Sequence, residues 1–218
     1  MPHILKMIEI CEIFKSIQGE STYSGKICVF IRLSRCNLSC IYCDTTYAFK
    51  KGTPYTIDQI LDTLKHYSCS LVEITGGEPL LQEETPHLCQ VLIDHSYQVL
   101  VETNGTYDIS ILPQECIKIM DIKCPDSGCD SFFYFDNVRH LTPLDECKMV
   151  ISSKKDFIWA LDFLYTHSLQ NKCTVLFSPN TNRLEPKILT QWILEENAPV
   201  RLNLQLHTII WGSKERGR

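Results

Sequence analysis

No stretch of this 218-residue chain holds the roughly 18 consecutive apolar residues that a membrane-crossing helix needs. Its N-terminus lacks the apolar core of a secretion signal, since Met1 to Ile10 carries Lys6 and Glu9. Internal repeats and low-complexity linkers are missing too, so 1–218 reads as one domain. Positive charge is short: 21 Lys and Arg stand against 26 Asp and Glu, a net charge of -5. That balance argues against a broad phosphate-binding face, so no nucleic acid is expected as a direct partner. The local exception is the run Lys214, Glu215, Arg216 and Arg218, which reads as a solvated tail. No membrane association and a cytoplasmic or other reducing location are therefore expected.

At 44% hydrophobic and 22% charged, the chain can bury a sizeable core. Cysteine is abundant, with twelve residues. A disulfide framework would suit a small secreted chain, not one of this length and apolar content. Cys28, Cys89, Cys116 and Cys173 sit inside apolar runs and read as small core residues.

Short β-rich runs alternate with helical ones. Strands are predicted over 27–33, 71–75, 98–102, 117–122, 147–151, 174–177 and 200–206. Helices are predicted over 56–67, 85–95, 153–164 and 184–195. Thr56 and Gln59 have capping-box spacing ahead of Ile57, Ile60, Leu61 and Leu64. Ser153 and Asp156 read as a cap for a helix whose inner face is Phe157, Ile158, Leu161, Leu164 and Tyr165. In the helix over 85–95, Leu88, Val91 and Leu92 point inward. Such alternation implies an α/β fold with a parallel sheet, either an open sheet or a full or partial barrel. In each case the chemistry belongs at the C-terminal strand ends. There the unusual residues fall: a cysteine loop, Gly76-Gly77-Glu78-Pro79, Glu102-Thr103-Asn104-Gly105, Asp121-Ile122-Lys123-Cys124-Pro125 and His207.

The cysteine loop places Cys36, Cys40 and Cys43 in a C-x3-C-x2-C spacing. Three close thiolates can hold an iron–sulfur cubane and leave one iron open. The same residues suit a zinc site completed by Cys124, Cys129 or His207. Chance clustering is the third reading, because cysteine is common throughout the chain.

Beyond the loop, Ile17-Gln18-Gly19-Glu20, Cys43-Asp44-Thr45, the Gly-Gly-Glu-Pro stretch, Glu102 to Gly105, Asp121 to Pro125 and Gln205-Leu206-His207 through Trp211-Gly212 occur in order. Together they resemble the 7-carboxy-7-deazaguanine synthases of the radical S-adenosylmethionine (SAM) superfamily, over nearly the whole chain. The resemblance implies a modified partial (β/α)6 TIM-type barrel with a radical SAM core. It also implies a reaction: 6-carboxy-5,6,7,8-tetrahydropterin contracts to 7-carboxy-7-deazaguanine and loses ammonia, on the way to queuosine and other 7-deazapurines. The implied cofactors are a [4Fe–4S] cluster, SAM used as a regenerated cofactor, and Mg2+.

The resemblance also assigns residues. Cys36, Cys40 and Cys43 would hold the cluster, whose open iron binds SAM and whose electron cleaves it to a 5′-deoxyadenosyl radical. Gly76 and Gly77 would let backbone approach a ligand closely, and Glu78 would accept from the ammonium of SAM. Tyr42 and Asp44 match positions near its adenine and ribose. Lys123, Cys124 and Pro125 match further SAM contacts, although some relatives carry a Ser-Pro-Lys-type segment there. Thr45 matches a magnesium ligand, a hard oxygen needing substrate and water oxygens to complete an octahedron. Arg32 would pair the substrate carboxylate. Ile17, Gln18, Gly19, Thr75 and His207 would line the pterin.

A homodimer and a reducing partner such as flavodoxin or ferredoxin complete the implied set. A glycyl-radical-enzyme activase and a non-catalytic zinc-binding module are the competing readings.

Overall fold

The computed structural model describes residues 7–212 and residue 217, so the run Lys214, Glu215, Arg216 and Arg218 and the N-terminal Lys6 lie outside the described residues. The architecture follows from which runs can be buried on both faces. Near-continuous apolar runs form the parallel strands β2 (Ile27–Leu33), β4 (Leu71–Gly76), β5 (Gln98–Thr103), β6 (Ile117–Ile122), β7 (Glu146–Ile151) and β8 (Thr174–Pro179). A two-residue strand β9 (Arg201–Leu202) adds to the far edge. Two strands lie outside this set. β1 (Ile8–Ile17) pairs antiparallel with β2, and β3 (Thr53–Tyr55) pairs antiparallel with β1. The order is β3-β1-β2-β4-β5-β6-β7-β8-β9, parallel from β2 onward. With β3 and β9 at opposite ends, the sheet is an open, partial barrel.

Four helices cover its outer face: α1 (Ile57–Lys65), α2 (Thr85–Asp94), α3 (Lys154–Thr166) and α4 (Pro186–Glu195). α1 starts with the capping box expected of it, Thr56 and Gln59 each satisfying the other's backbone N–H. The β5–β6 and β6–β7 crossovers use short 3-10 turns instead of α-helices. A main core of buried side chains lies between sheet and helices, including Ile31, Ile74, Leu88, Val101, Phe157 and Leu164. A smaller one fills the barrel lumen: Cys28, Phe30, Leu71, Leu100, Ile117 and Ile119.

Three sequence expectations are corrected. The inner face of α3 is Phe157, Ala160, Phe163 and Leu164, while Ile158 and Tyr165 are exposed. Spacings of three, four and seven from Phe157 share one helix face, and 158 and 165 sit one position round from it. Ser153 does cap α3, but the Asp156 carboxylate accepts from the Ser152 and Asp126 N–H groups, tying the β6–β7 crossover to the helix. The last strand stops at Leu202, and Leu206–Trp211 forms a helix, α5, so His207 is helical. Of the cysteines read as core, Cys28, Cys89 and Cys116 are buried, and Cys173 is only partly so.

Phe157 has no exposed surface and packs its ring against Phe177 and Trp192, at 5.9 and 5.5 Å between centroids. Phe157→Ala is expected to lower the unfolding free energy by about 3–5 kcal/mol in urea titration, through lost burial and the cavity left behind.

Candidate active site

One cavity of about 520 Å³ opens at the C-terminal ends of the parallel strands. The cysteine loop that forms one wall is fastened at each end. Ser34 N–H donates to the Glu9 carbonyl and Arg35 N–H to the Ala48 carbonyl, closing the loop base, and Ile41 N–H donates to Ser127 across the β6–β7 crossover. Gly77 and Glu78 then donate backbone N–H groups to the Leu33 and Arg35 carbonyls. Here the two glycines admit the protein's own backbone. A Cβ on Gly76 would overlap the Leu33 carbonyl, and one on Gly77 the Arg35 carbonyl. Gly76 also has φ +151°, which favours glycine. Their close approach is to the protein's own cysteine loop.

Cys36, Cys40 and Cys43 all line this cavity. Burial pushes each thiol up, Cys40 to about 12, while the nearby Lys123 ammonium pulls all three down. Leu38 N–H points at Cys36 Sγ from 3.4 Å, and the Asn104 amide from 3.9 Å. Donors and a cation aimed at sulfur suit metal-bound thiolates, which must be deprotonated. Among the described residues no three His, Cys, Asp or Glu side chains converge as ligands of a single ion. Three thiols in one cavity, with donors and a cation aimed at them, fit a sulfur-ligated cluster. Two buried polar atoms on the same wall, Tyr42 OH and Asp121 Oδ1, have no hydrogen-bond partner among the described residues. Buried polar groups are normally paired, so both suit a polar ligand such as SAM.

Of the other residues singled out in the sequence, Ile17, Gln18, Gly19, Arg32, Tyr42, Asp44, Thr45, Thr75, Gly77, Lys123 and His207 line the cavity. Glu78, Cys124 and Pro125 do not. Glu78 is fully buried, and its carboxylate accepts from Leu80 N–H, Asn104 N–H and the Thr103 hydroxyl at 2.9, 2.7 and 2.7 Å. It braces the ends of β4 and β5. Cys124 is buried in the main core beneath the β6 end. Gly19 meets α5: Leu206 N–H donates to its carbonyl at 2.8 Å, and a Cβ there would overlap the His207 ring.

Arg32 is held by Glu12, its Nε donating to Oε1 at 2.8 Å, and Tyr47 OH donates to the same oxygen. Its guanidinium also lies over the rings of Phe14 and Tyr47, at 5.7 and 5.9 Å. Phe14 and Phe30 stack 5.0 Å apart and wall the lumen side. Thr45 Oγ1 donates to Asp44 Oδ1 at 2.7 Å, putting two hard oxygens side by side.

Sequence reasoning missed the charged floor. The Lys148 ammonium, 5% exposed, contacts Glu20 at 2.8 Å, Asp121 at 3.3 Å and Glu102. Asp121 also holds Lys123 at 3.0 Å, Thr75 donates to Glu102 at 3.0 Å, and Gln205 to Glu20 at 2.9 Å. Glu73 lies deeper, accepting from Gln18 Nε2. A lone charge in an otherwise apolar strand, as in Leu-Val-Glu-Ile-Thr or Cys-Lys-Met-Val-Ile, was the available signal.

Comparison with known proteins agrees with this geometry. The sequence pattern of the Radical SAM superfamily matches residues 30–122. The chain is 42% identical over 225 residues to the 7-carboxy-7-deazaguanine synthase of Koribacter versatilis, covering 96% of this chain and 100% of that protein. It is 40% identical to the enzyme of the same name from Chlorobaculum tepidum, covering 96% and 97%. Among solved structures it resembles QueE from Escherichia coli, with a TM-score of 0.77 at 20% identity over 92% of this chain and 95% of that one, a likeness of fold.

Burial raises the Glu78 carboxyl from its ordinary 4.5 to about 7, against the pull of its three donors. A folded-state value above the unfolded one means that the folded protein binds more protons between them. This contribution to stability is therefore full below about 4.5 and is lost as pH rises through about 7. Unfolding free energies measured across this window should decline with pH in the wild type, and the decline should be shallower in Glu78→Gln.

Proposed function

The chain belongs to the 7-carboxy-7-deazaguanine synthase family of radical SAM enzymes, and from that premise we propose that it converts 6-carboxy-5,6,7,8-tetrahydropterin to 7-carboxy-7-deazaguanine and ammonia, in 7-deazapurine biosynthesis. The observation that carries the reading is the single cavity in which three cysteines meet Arg32, Gln18 and His207. Cys36, Cys40 and Cys43 would hold the [4Fe–4S] cluster, and Tyr42, Asp44, Gly77 and Lys123 would hold SAM. When bound, the cluster and SAM supply the hydrogen-atom abstraction that starts the rearrangement.

The chain's own residues orient the substrate. Glu12 engages Arg32 through Nε, which leaves the terminal guanidinium nitrogens to pair the substrate carboxylate as a fork. The stacked Phe14 and Phe30 offer a wall for a flat ring. Ile17, Gln18, Gly19, Thr75 and His207 would border the heterocycle, with His207 set by its seat on Gly19. Thr45, beside Asp44, would contribute one oxygen to Mg2+, with substrate and water oxygens filling the rest.

We read residues 1–218 as one radical SAM core, a homodimer in the cytoplasm, reduced by a flavodoxin or ferredoxin. No helix among the described residues is long and apolar enough to cross a membrane. The activase and zinc-module readings have no counterpart in the relatives above, which carry the synthase name over nearly their full length.

Anaerobic turnover of the reconstituted protein with dithionite, SAM, Mg2+ and the pterin is the direct test. Mass spectrometry should find 7-carboxy-7-deazaguanine with SAM largely retained. 5′-Deoxyadenosine without that product would keep the radical core and reject the substrate. Cys40→Ala should lose both iron and activity, and an active, iron-loaded variant would refute the cluster assignment. Thr45→Ala should lose most of the magnesium stimulation seen in the wild type, and an unchanged magnesium dependence would remove that residue from the metal.

A further inference from the structure

Glu73 stands where the fold calls for an apolar side chain. In register it lies between Phe30 of β2 and Leu100 of β5, and Leu100 is followed by Ile117 of β6. Those three neighbours belong to the apolar lumen cluster. Glu73 is 3% exposed, and burial, then the charge of Glu102, pushes its carboxyl well above the usual carboxylate range. A hydrophobic residue of similar volume would be more stable in such surroundings. The carboxyl nevertheless faces the cavity and meets one specific partner, the side-chain amide of Gln18, which is itself 4% exposed.

The geometry defines that amide. Glu20 N–H points at one amide atom from 2.6 Å. A backbone N–H only donates, so that atom must be the oxygen. The nitrogen then faces Glu73, which engages one of its two hydrogens. The Glu20 contact decides which end is oxygen but leaves the amide plane free to turn. A second anchor at Glu73 stops it.

Resting on the pterin reading above, we propose that Glu73 is a positioning residue for substrate specificity: it locks the Gln18 amide so that its remaining N–H is presented to the cavity as a donor, selecting a heterocycle with a ring-nitrogen or carbonyl acceptor at that edge. Glu73 acts through Gln18 and takes no part in the hydrogen-atom chemistry.

The test is steady-state kinetics of the reconstituted full chain with 6-carboxytetrahydropterin and SAM, for the wild type, Glu73→Leu, Glu73→Gln, Gln18→Leu and the double Glu73→Leu/Gln18→Leu variant. Loss of one oriented hydrogen bond should raise the pterin KM of Glu73→Leu about tenfold, with kcat and the KM for SAM much less affected. Glu73→Gln, whose amide oxygen can still accept from Gln18, should recover most of that loss. Adding Glu73→Leu to Gln18→Leu should raise KM no further. The Tm of Glu73→Leu should equal or exceed that of the wild type, because leucine suits the layer of Phe30 and Leu100.

An unchanged pterin KM in Glu73→Leu would overturn the proposal. So would a Glu73→Gln variant as impaired as the leucine one, additive losses in the double variant, or a fall in Tm with all kinetic constants collapsing together. Failure of the wild type to turn over the pterin would instead refute the functional reading on which the proposal rests, and the proposal with it.

Discussion

One buried ammonium organises the floor of this barrel. Lys148 rises from β7 and meets Glu20 from the β1–β2 connection, Glu102 from the end of β5 and Asp121 from β6. Burial alone would discharge it, but the three carboxylates hold it well above the usual lysine range, Glu102 foremost. A buried charge is tolerated only when it is paired and hydrogen-bonded, and here the pairing joins four segments far apart in sequence. The network continues outward, through Asp121 to Lys123 beside the thiols and through Glu20 to Gln205 and α5. The wall that suits the cluster, the Glu20 side of the cavity and α5 thus share one electrostatic anchor.

The barrel divides its duties by layer. Apolar side chains fill the lower lumen, and charged and hydroxyl side chains occupy the strand ends above it. Glu73 breaks that division from below. The cysteine loop, in turn, is shaped by β4 pressing against the end of β2: the Gly76-Gly77 backbone fits against Leu33 and Arg35 because neither residue has a Cβ, and Glu78 then ties β4 to β5. The Gly-Gly-Glu-Pro stretch thus sets the geometry of the thiol-bearing loop while Gly76 and Gly77 also line the cavity.

Much of this was legible without coordinates. Parallel strands read well because both of their faces are buried, which makes them continuous apolar runs such as Ile27–Leu33 and Ile117–Ile122. α1 announced itself by its capping box. β1 was missed although Ile8, Glu9 and Ile10 alternate, because its pairing with β2 is a long-range choice. The stretch after Leu202 was read as strand, yet it curls into α5 over Gly19. Apolar periodicity over a few residues cannot distinguish the two states.

Local chemistry was determined by the sequence itself: three thiols spaced for an iron–sulfur cluster or a zinc ion, glycines at a tight junction, and strand ends carrying polar groups. Those features depend on neighbours within a few residues, so the chain order is enough to state them. Which carboxylate does what was decided only by the tertiary structure. Glu78 accepts from two backbone N–H groups and the Thr103 hydroxyl, Glu20, Glu102 and Asp121 share Lys148, and Glu73 braces Gln18. A carboxylate's role is set by burial and by the donors within about 3 Å of it, and here those donors come mostly from other strands and loops.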